Sequence, residues 1–424
     1  MTTALSPTLA IDTALRARRA RGEEVLHLGF GEAGLPVPGP VADVLARAAG
    51  RNGYGPVAGS AEARDAAAGW FTRRGLPTAP AQVTFAPGSK PLLYALLAAI
   101  PGDVVLPRPA WVSYAAQSAL AGKRVIGVPV PPEAGGVPDP DLLAYALRTA
   151  QDGGAHPGVL VLTVPDNPTG TVARPDHLRA VCDLAARHGL AVVADEIYAE
   201  LLHNGGTAPS AAAHLPDRTV VTTGLSKSMA LGGWRVGFAR FPEGAWGERT
   251  RAEIAGIASE IWSSLAAPMQ AVAAHVLADP PEVLAHIDAA RRLHGAVAAA
   301  AHAEFTAAGA ECRAPEAGFY LYPDLGPHRA ALAARGIGTA DALAAYLLER
   351  HGVGVLSGTA FGDTPDGLRF RAATSLLYGE TDEQRLRALR SGDPVRLPWI
   401  ADALTRLRTA LADLTAAAPD RRTR

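Results

Sequence analysis

The chain has 424 residues, of which 48% are hydrophobic and 19% charged, so it is long enough for two or more domains with sizeable cores. Its 40 basic and 41 acidic residues leave a formal net charge of -1, which gives no long-range reason to expect nucleic acid or an anionic membrane as a partner. The ligand should therefore be a small molecule.

The composition and the N-terminus predict a cytoplasmic protein. Two cysteines are too few for a disulfide framework or a zinc site, as is typical of a reducing compartment. The N-terminal stretch M-T-T-A-L-S-P has no basic segment followed by an apolar core, and no apolar run reaches the about 18 residues that a membrane span needs. Because no His or Cys cluster has metal-ligand spacing, we predict no metal site.

The first predicted elements are an amphipathic helix over residues 8–22 and a strand over residues 24–30, followed by a turn rich in glycine and proline. The turn begins G-F-G-E-A-G, which spells G-x-G-x-x-G. A dinucleotide-binding fold needs a helix to begin directly after this turn, but prolines occupy positions 36, 38 and 40 there. The pattern therefore disfavours a dinucleotide-binding site.

From about residue 61, short apolar runs alternate with alanine-rich helical segments, which is typical of βαβ units and a mostly parallel sheet. The continuous apolar character of these runs indicates burial on both faces. The predicted strands are 82–86, 103–106, 124–130, 158–164, 191–194, 219–223 and 234–239. Polar or glycine residues follow each strand, at the end where open α/β sheets bind ligands.

A second, smaller α+β domain is predicted after a long helix over residues 280–309. Its strands are G-F-Y-L-Y-P, G-V-G-V-L-S-G and L-R-F-R-A-A-T-S, and a helix over residues 397–414 precedes an end that should fray from residue 415. We predict an N-terminal segment at 1–55 that joins the small domain, a large domain at 56–285, and the interdomain helix with the C-terminal small domain at 286–424.

Three motifs follow consecutive predicted strands: P-D-N-P-T-G at 165–170, A-D-E-I-Y at 194–198, and T-T-G-L-S-K-S-M-A-L-G-G-W-R-V-G at 222–237. The last places Lys227 among small, hydroxyl and apolar residues, with Arg235 eight positions on. A lysine amine is a useful nucleophile when an apolar site or cationic neighbours disfavour its charged form. A lone lysine more often lies on a solvated face, but the two other motifs favour a nucleophile.

In this order and spacing, the motifs closely resemble those of the aspartate aminotransferase family, class I/II enzymes of fold type I that use pyridoxal 5'-phosphate (PLP). The resemblance extends from about Ala10 to about Leu389. It implies an α/β fold with a mostly parallel central sheet flanked by helices, plus a smaller α+β domain. It also implies a homodimer that transfers an α-amino group between an L-amino acid and a 2-oxo acid by a ping-pong mechanism.

The resemblance assigns roles around the cofactor ring. Lys227 would bind PLP covalently and shuttle the proton of the substrate's α-carbon, while Asp195 would pair with the pyridine nitrogen. Asn167 and Tyr198 would hydrogen-bond the phenolic oxygen and keep it anionic. Trp111, in R-P-A-W-V-S-Y, would stack on the ring. By themselves, Asp195 could be a helix N-cap and Asn167 a turn residue.

The P-G-S-K stretch at 87–90 opens a predicted helix and resembles the family's phosphate loop. The residues implied in phosphate binding are Gly88, Ser89, Lys90, Ser226 and Arg235. Many family members have Ser or Thr three positions before the lysine, where this chain has Gly224. The match around Ser226 is therefore incomplete. Lys90 has a second possible role, since in some relatives a similar lysine reaches the substrate's distal carboxylate.

For the substrate's α-carboxylate, the resemblance points to Arg369 in L-R-F-R-A-A-T-S, and Arg371 stands where a serine is usual. Strand alternation places both arginines on the same face. The backbone at Gly31 would close over the same carboxylate, with Asn167 and Trp111 beside the substrate. Tyr54 matches a tyrosine that reaches the partner subunit's cofactor phosphate.

Two alternatives stay open at this point. The same lysine, aspartate and arginine also serve fold-type I lyases, cyclases, racemases and decarboxylases. A non-catalytic sensor domain of a transcription regulator would carry a winged-helix module before this fold, whereas only 28 residues precede the G-F-G-E-A-G segment that contains Gly31. For the substrate, Lys90 and Arg371 favour an acidic side chain, whereas Trp262 and Phe30 favour an aromatic or aliphatic one.

Overall fold

The computed structural model describes residues 5–416, and these residues form the following elements. The strands are β1 (Leu26–His27), β2 (Val83–Pro87), β3 (Asp103–Arg108), β4 (Val125–Pro129), β5 (Pro157–Thr163), β6 (Ala191–Asp195), β7 (Thr219–Gly224), β8 (Val236–Arg240), β9 (Tyr320–Leu321), β10 (Val353–Gly354), β11 (Leu356–Ser357) and β12 (Phe370–Ala373). The helices are α1 (Pro7–Ala20), α2 (Gly39–Ala48), α3 (Ala61–Arg73), α4 (Ser89–Ala99), α5 (Val112–Leu120), α6 (Pro140–Asp152), α7 (Pro175–Arg187), α8 (Leu225–Ser228), α9 (Ala245–Ile261), α10 (Ala267–Leu277), α11 (Pro281–Ala307), α12 (Arg329–Ala333), α13 (Ala340–His351), α14 (Asp382–Arg390) and α15 (Pro398–Thr415).

The predicted α/β fold is confirmed. Strands β2 to β8 form one sheet in the order β2-β8-β7-β6-β5-β3-β4, and they match the predicted strands to within a few residues. The sheet is parallel except at β8, which runs antiparallel to both of its neighbours. The neighbours of β8 therefore point the same way, so β2, β3, β5, β6 and β7 all end at one edge of the sheet.

Helices cover both faces of this sheet, as its continuous apolar strands require. In β6, Val192 belongs to the core on one face, which includes residues of α7 and α10, and Val193 belongs to the core on the other face, which includes residues of α4 and α9. Both valines are fully buried. Successive side chains of a strand point to opposite faces of the sheet, so one apolar run contributes to the core on each face.

A second core forms around the C-terminal part of the chain. Strand β1 pairs in parallel with β10, and β11, β12 and β9 form a small antiparallel sheet. Leu26, Phe305, Phe370 and Leu411 are buried together in this core. The N-terminal segment thus joins the C-terminal part at β1, whereas Val41 of α2 packs into the core of the central sheet.

The long helix α11 connects the two cores. Ile287 packs with the central sheet, and Ala290 one turn later packs with the C-terminal core. The predicted boundary at 285/286 falls near this change, and the three domain boundaries stay predictions. Among residues 5–416, no helix has both the length and the apolar character needed to cross a membrane. Of the end predicted to fray, residues 417–424 lie outside the described part.

Candidate active site

The sheet topology gathers the motif residues at one edge. Asn167 follows β5, Asp195 ends β6, and Lys227 lies in α8, directly after β7. These three strands are parallel and adjacent, so their ends converge. Arg235 precedes β8, which begins at this edge because it runs the opposite way. A ligand site outside the carboxyl ends of parallel strands is the general arrangement in open α/β sheets.

These side chains line a pocket of about 410 Å³. The predicted site residues that it brings together are Gly31, Ser89, Lys90, Trp111, Asn167, Asp195, Tyr198, Ser226, Lys227 and Arg235. Two predicted residues, Tyr54 and Arg369, do not line it. Gly88 lies just behind the lining, under the Arg235 guanidinium.

Lys227 lines the pocket with its amine. Its Nζ donates a hydrogen bond to the Gly31 carbonyl and lies 5.9 Å from the ring centres of both Tyr198 and Phe319. The described residues place no carboxylate within salt-bridge distance of this amine. The amine therefore faces aromatic rings and a carbonyl oxygen, from which a covalent ligand could displace it.

Asp195 has one satisfied and one free oxygen. Its Oδ2 accepts a hydrogen bond of 2.8 Å from the Tyr114 hydroxyl, which lies 2.7 Å from the Thr163 hydroxyl. Its Oδ1 is buried and has no hydrogen-bond partner among the described residues. Burial raises the pKa of Asp195 to about 6. A buried, unpaired carboxylate oxygen that faces a pocket is suited to a protonated nitrogen of a ligand.

The part of the pocket at the N-terminus of α4 is suited to an anion. Gly88 caps the N-terminus of α4 with φ 89°, which directs the chain into the helix. A Cβ at this position would lie 2.2 Å from Nη2 of Arg235, so only glycine leaves room for the guanidinium. Free backbone N–H groups at a helix N-terminus, together with an arginine, form a phosphate site.

Lys90 adds positive charge beside this end. Its Nζ lies 5.1 Å from the centre of the Trp111 ring, and Trp111 meets Tyr114 edge to face at 5.2 Å. Partial burial, followed by the charges of Arg235 and Lys227, lowers the pKa of Lys90. A ligand carboxylate or phosphate would relieve this repulsion.

Of the two neighbouring arginines, Arg371 and not the predicted Arg369 lines this pocket. Arg369 points out of the pocket, where Asp324 and Asp363 hold it with nitrogen–oxygen distances of 2.8 Å. Arg371, two residues on, lines the pocket and is 1% exposed. Its Nη1 donates to Asn167 Oδ1 at 3.1 Å and its Nη2 donates to the Gly29 carbonyl at 2.9 Å.

Some lining residues were not identified from sequence. Thr8 and Leu9 of α1 form part of the wall, although these two residues precede the resembling segment. Tyr320 lines the pocket from β9, inside the quoted G-F-Y-L-Y-P strand. Tyr114 ends the quoted R-P-A-W-V-S-Y motif. A signal was therefore present for the two tyrosines, but their partners lie far away in the sequence.

Comparison with known proteins agrees with this geometry. Residues 25–377 match the family model described as aminotransferase class I and II. The chain is 34% identical over 374 residues to the aspartate/prephenate aminotransferase of Cereibacter sphaeroides, covering 85% of this chain and 90% of that protein. It is 31% identical over 390 residues to the aspartate aminotransferase of Geobacillus stearothermophilus, covering 90% and 95%. The structure of the Thermus thermophilus aspartate aminotransferase with maleate aligns with a TM-score of 0.81 at 28% identity, covering 96% and 97%.

The pocket fits PLP, the cofactor of this family. The free Oδ1 of Asp195 suits a protonated pyridine nitrogen, and the N-terminus of α4 with Arg235 suits the phosphate. Lys227 supplies an amine in the same pocket. The matched family, the curated relatives and this donor set agree, and the chain belongs to the class I and II aminotransferases as a PLP-dependent enzyme.

Proposed function

We propose that this aminotransferase takes the α-amino group from an acidic L-amino acid, and that Arg371 binds the substrate's α-carboxylate. The observation that carries the proposal is the state of Arg371. Its guanidinium is buried among neutral carbonyl oxygens, no described carboxylate pairs with it, and its Nε has no partner. An unpaired buried charge costs several kcal/mol, so a ligand carboxylate in this pocket would be bound strongly.

Lys227 is the proposed covalent and proton-transfer residue. When bound, PLP supplies a ring that accepts electrons from the substrate's α-carbon. The Lys227 amine would take the proton from that carbon and deliver it to the cofactor's C4' atom. Its position in the pocket beside the Gly31 carbonyl supports this role. Asp195 would hold a proton at the ring nitrogen through its free Oδ1.

The charge of the pocket supports an acidic substrate. Among the described residues that line it, Lys90, Lys227, Arg235 and Arg371 are cationic and Asp195 is the carboxylate. With Arg235 assigned to a phosphate and Arg371 to the α-carboxylate, Lys90 is left to bind a second carboxylate. Aspartate has such a second carboxylate, and the relatives named above are called aspartate or aspartate/prephenate aminotransferases.

We also propose a homodimer in which Tyr54 completes the partner's site. Tyr54 is 95% exposed, which is unusual for a large aromatic side chain and leaves it free to enter a second subunit. Ile261, 60% exposed, provides a further apolar contact surface. The family resemblance gives this tyrosine its role toward the cofactor phosphate.

A cytoplasmic location is part of the same proposal. Cys182 and Cys312 are both free thiols, and burial raises the pKa of Cys182 to about 12. Such unpaired thiols are typical of a reducing compartment. Fractionation of the producing cells, with the protein followed by immunoblotting, tests the location.

The two arginines of β12 and its flank provide the decisive test. We expect Arg371→Ala to lower kcat/KM for aspartate by about 10²- to 10³-fold, because a buried, hydrogen-bonded carboxylate pair is lost. The matched variant Arg369→Ala should change kcat/KM by less than about threefold, since that guanidinium pairs with Asp324 and Asp363 outside the pocket. The reverse ranking of the two variants would refute the assignment.

The reaction class is tested separately by the absorbance of the protein with PLP. Wild type should develop the absorbance band of bound cofactor, which aspartate converts to that of the pyridoxamine form, and Lys227→Ala should do neither. A panel of amino acids in single half-reactions then identifies the donor. Preference for neutral over acidic donors would contradict the proposed substrate class.

A further inference from the structure

We propose that Tyr320 is a positioning residue that holds the Tyr198 hydroxyl as a hydrogen-bond donor toward the cofactor's phenolic oxygen. This inference rests on the proposed function, in which Tyr198 contacts that oxygen. It adds a residue that neither the motifs nor the family resemblance assigned.

The two hydroxyl groups form a buried pair. The Tyr198 and Tyr320 oxygens lie 2.8 Å apart, and the two side chains are 4% and 1% exposed. Their rings meet edge to face at 5.5 Å. Both residues also line the pocket that holds Lys227. The contact therefore lies inside the catalytic pocket rather than in a distant part of the core.

Counting protons sets the direction of this hydrogen bond. Each phenol has one proton to donate and can accept at its oxygen. If Tyr198 donates to the cofactor, its proton is used, so the proton between the two phenols must come from Tyr320. The other acceptor near Tyr320, the Gly31 carbonyl, is 3.5 Å away and already accepts from Lys227. Tyr320 therefore donates to Tyr198.

A hydroxyl that accepts a hydrogen bond is a stronger donor to its next partner, because the two bonds polarise each other. Tyr320 also meets Arg371, whose Cζ lies 4.6 Å from the centre of the Tyr320 ring. The same tyrosine thus contacts the proposed carboxylate site through its ring and the proposed cofactor partner through its hydroxyl.

The Tyr320 hydroxyl occupies space that a glycine leaves open. A Cβ at residue 31 would lie 2.2 Å from that oxygen, so Gly31 leaves the space that the hydroxyl occupies. Gly31 was assigned from sequence to the substrate's carboxylate. Because it has no side chain, Gly31 also leaves room for the hydrogen bond between Tyr320 and Tyr198.

The test is a pH titration of the absorbance of PLP bound to the protein. Tyr320→Phe keeps the ring and its contact with Arg371 and removes only the hydroxyl. Tyr198 then becomes a weaker donor, the phenolic oxygen becomes more basic, and the midpoint of the titration should rise by about 0.5 pH unit, as expected for one neutral hydrogen bond. Tyr322→Phe is the matched control, because it removes a hydroxyl that bonds Asp363 at 3.0 Å outside this pocket; its midpoint should equal that of wild type.

Two further variants separate this inference from the proposed function. Tyr198→Phe should raise the midpoint more than Tyr320→Phe, and the double variant should match Tyr198→Phe, because Tyr320 acts through Tyr198. The inference is overturned, and the proposed function is not, if Tyr320→Phe has the wild-type midpoint or if the double variant shifts the midpoint further than Tyr198→Phe does. A wild-type midpoint in Tyr198→Phe overturns the proposed role of Tyr198 and the inference with it.

Discussion

At the scale of single residues, the pocket contains charged groups that the protein leaves only partly satisfied. Asp195 Oδ1 and Arg371 Nε are both buried without a partner among the described residues. Each such atom costs about 1–3 kcal/mol of stability. The fold tolerates this cost because its two cores are large, and a bound cofactor and substrate would remove it. In this pocket, the two unpaired atoms lie where the cofactor and the substrate's carboxylate are proposed to bind.

Lys90 gives a prediction at this scale. We expect Lys90→Ala to lower kcat/KM for aspartate by about 10- to 100-fold, the value of a hydrogen bond to a charged group. For a neutral amino acid the change should be less than about threefold, because no second carboxylate needs a partner. Steady-state kinetics with aspartate and alanine measure both values.

A matched control for this variant is Lys123→Ala. Lys123 lies outside the pocket and donates to the Ile100 carbonyl, so its loss should affect the two substrates equally. If Lys90→Ala also weakens both substrates equally, Lys90 serves the phosphate rather than the distal carboxylate.

At the scale of elements, helix α1 is the wall of the pocket that sequence motifs did not reveal. Two glycines let it approach closely: a Cβ on Gly29 would lie 2.9 Å from Ile11, and one on Gly354 would lie 2.4 Å from Leu15. Asp12 Oδ1 lies 3.0 Å from Nε2 of the buried His27. These contacts fix the helix whose first turn carries Thr8 and Leu9 into the pocket.

We therefore expect Asp12→Ala to loosen α1. KM for the amino acid should rise about 3- to 10-fold with kcat changed less than about twofold, because the wall contributes to binding and no α1 residue is proposed to take part in the chemistry. Amide hydrogen exchange in α1 should accelerate. Steady-state kinetics and exchange mass spectrometry measure the two effects.

Arg16→Ala is the matched control, because Arg16 pairs with the other oxygen of Asp12 and is 68% exposed. Such surface pairs contribute little. An unchanged KM in Asp12→Ala, with faster exchange, would show that the wall does not contribute to substrate affinity.

At the scale of the whole molecule, the active site joins parts of the chain that are far apart in sequence. Arg371 from the C-terminal core donates to Asn167 at the edge of the central sheet and to the Gly29 carbonyl near β1. The site thus depends on how the two cores pack. In the proposed dimer it also depends on Tyr54 of a second copy.

Complementation between subunits tests the shared site. Tyr54→Ala and Lys227→Ala should each have low activity, the first through weaker phosphate binding and the second through loss of the nucleophile. Unfolding and refolding them together at equal amounts should restore about one quarter of the wild-type sites, because half of the dimers are mixed and each mixed dimer has one intact site. Activity that does not rise on mixing would contradict a shared site.

Much of the fold could be predicted because it depends on local patterns. The strands of the central sheet are continuous apolar runs, and the residues that follow β5, β6 and β7 are brought together by parallel pairing alone. The sequence therefore predicts that Lys227, Asp195, Asn167 and Tyr198 share one site, and all four line the same pocket. The cofactor also followed from these motifs.

The sequence by itself thus determined the central sheet, the motif residues that meet at its edge and the family to which the chain belongs, and only the tertiary structure decided which arginine faces the pocket. Arg369 and Arg371 have the same side chain, and strand alternation predicts that both lie on the same face. Asp324 and Asp363, supplied by other segments, neutralise the first, while the second is buried against Asn167. Strand periodicity cannot distinguish residues two positions apart; the charges that surround each one can.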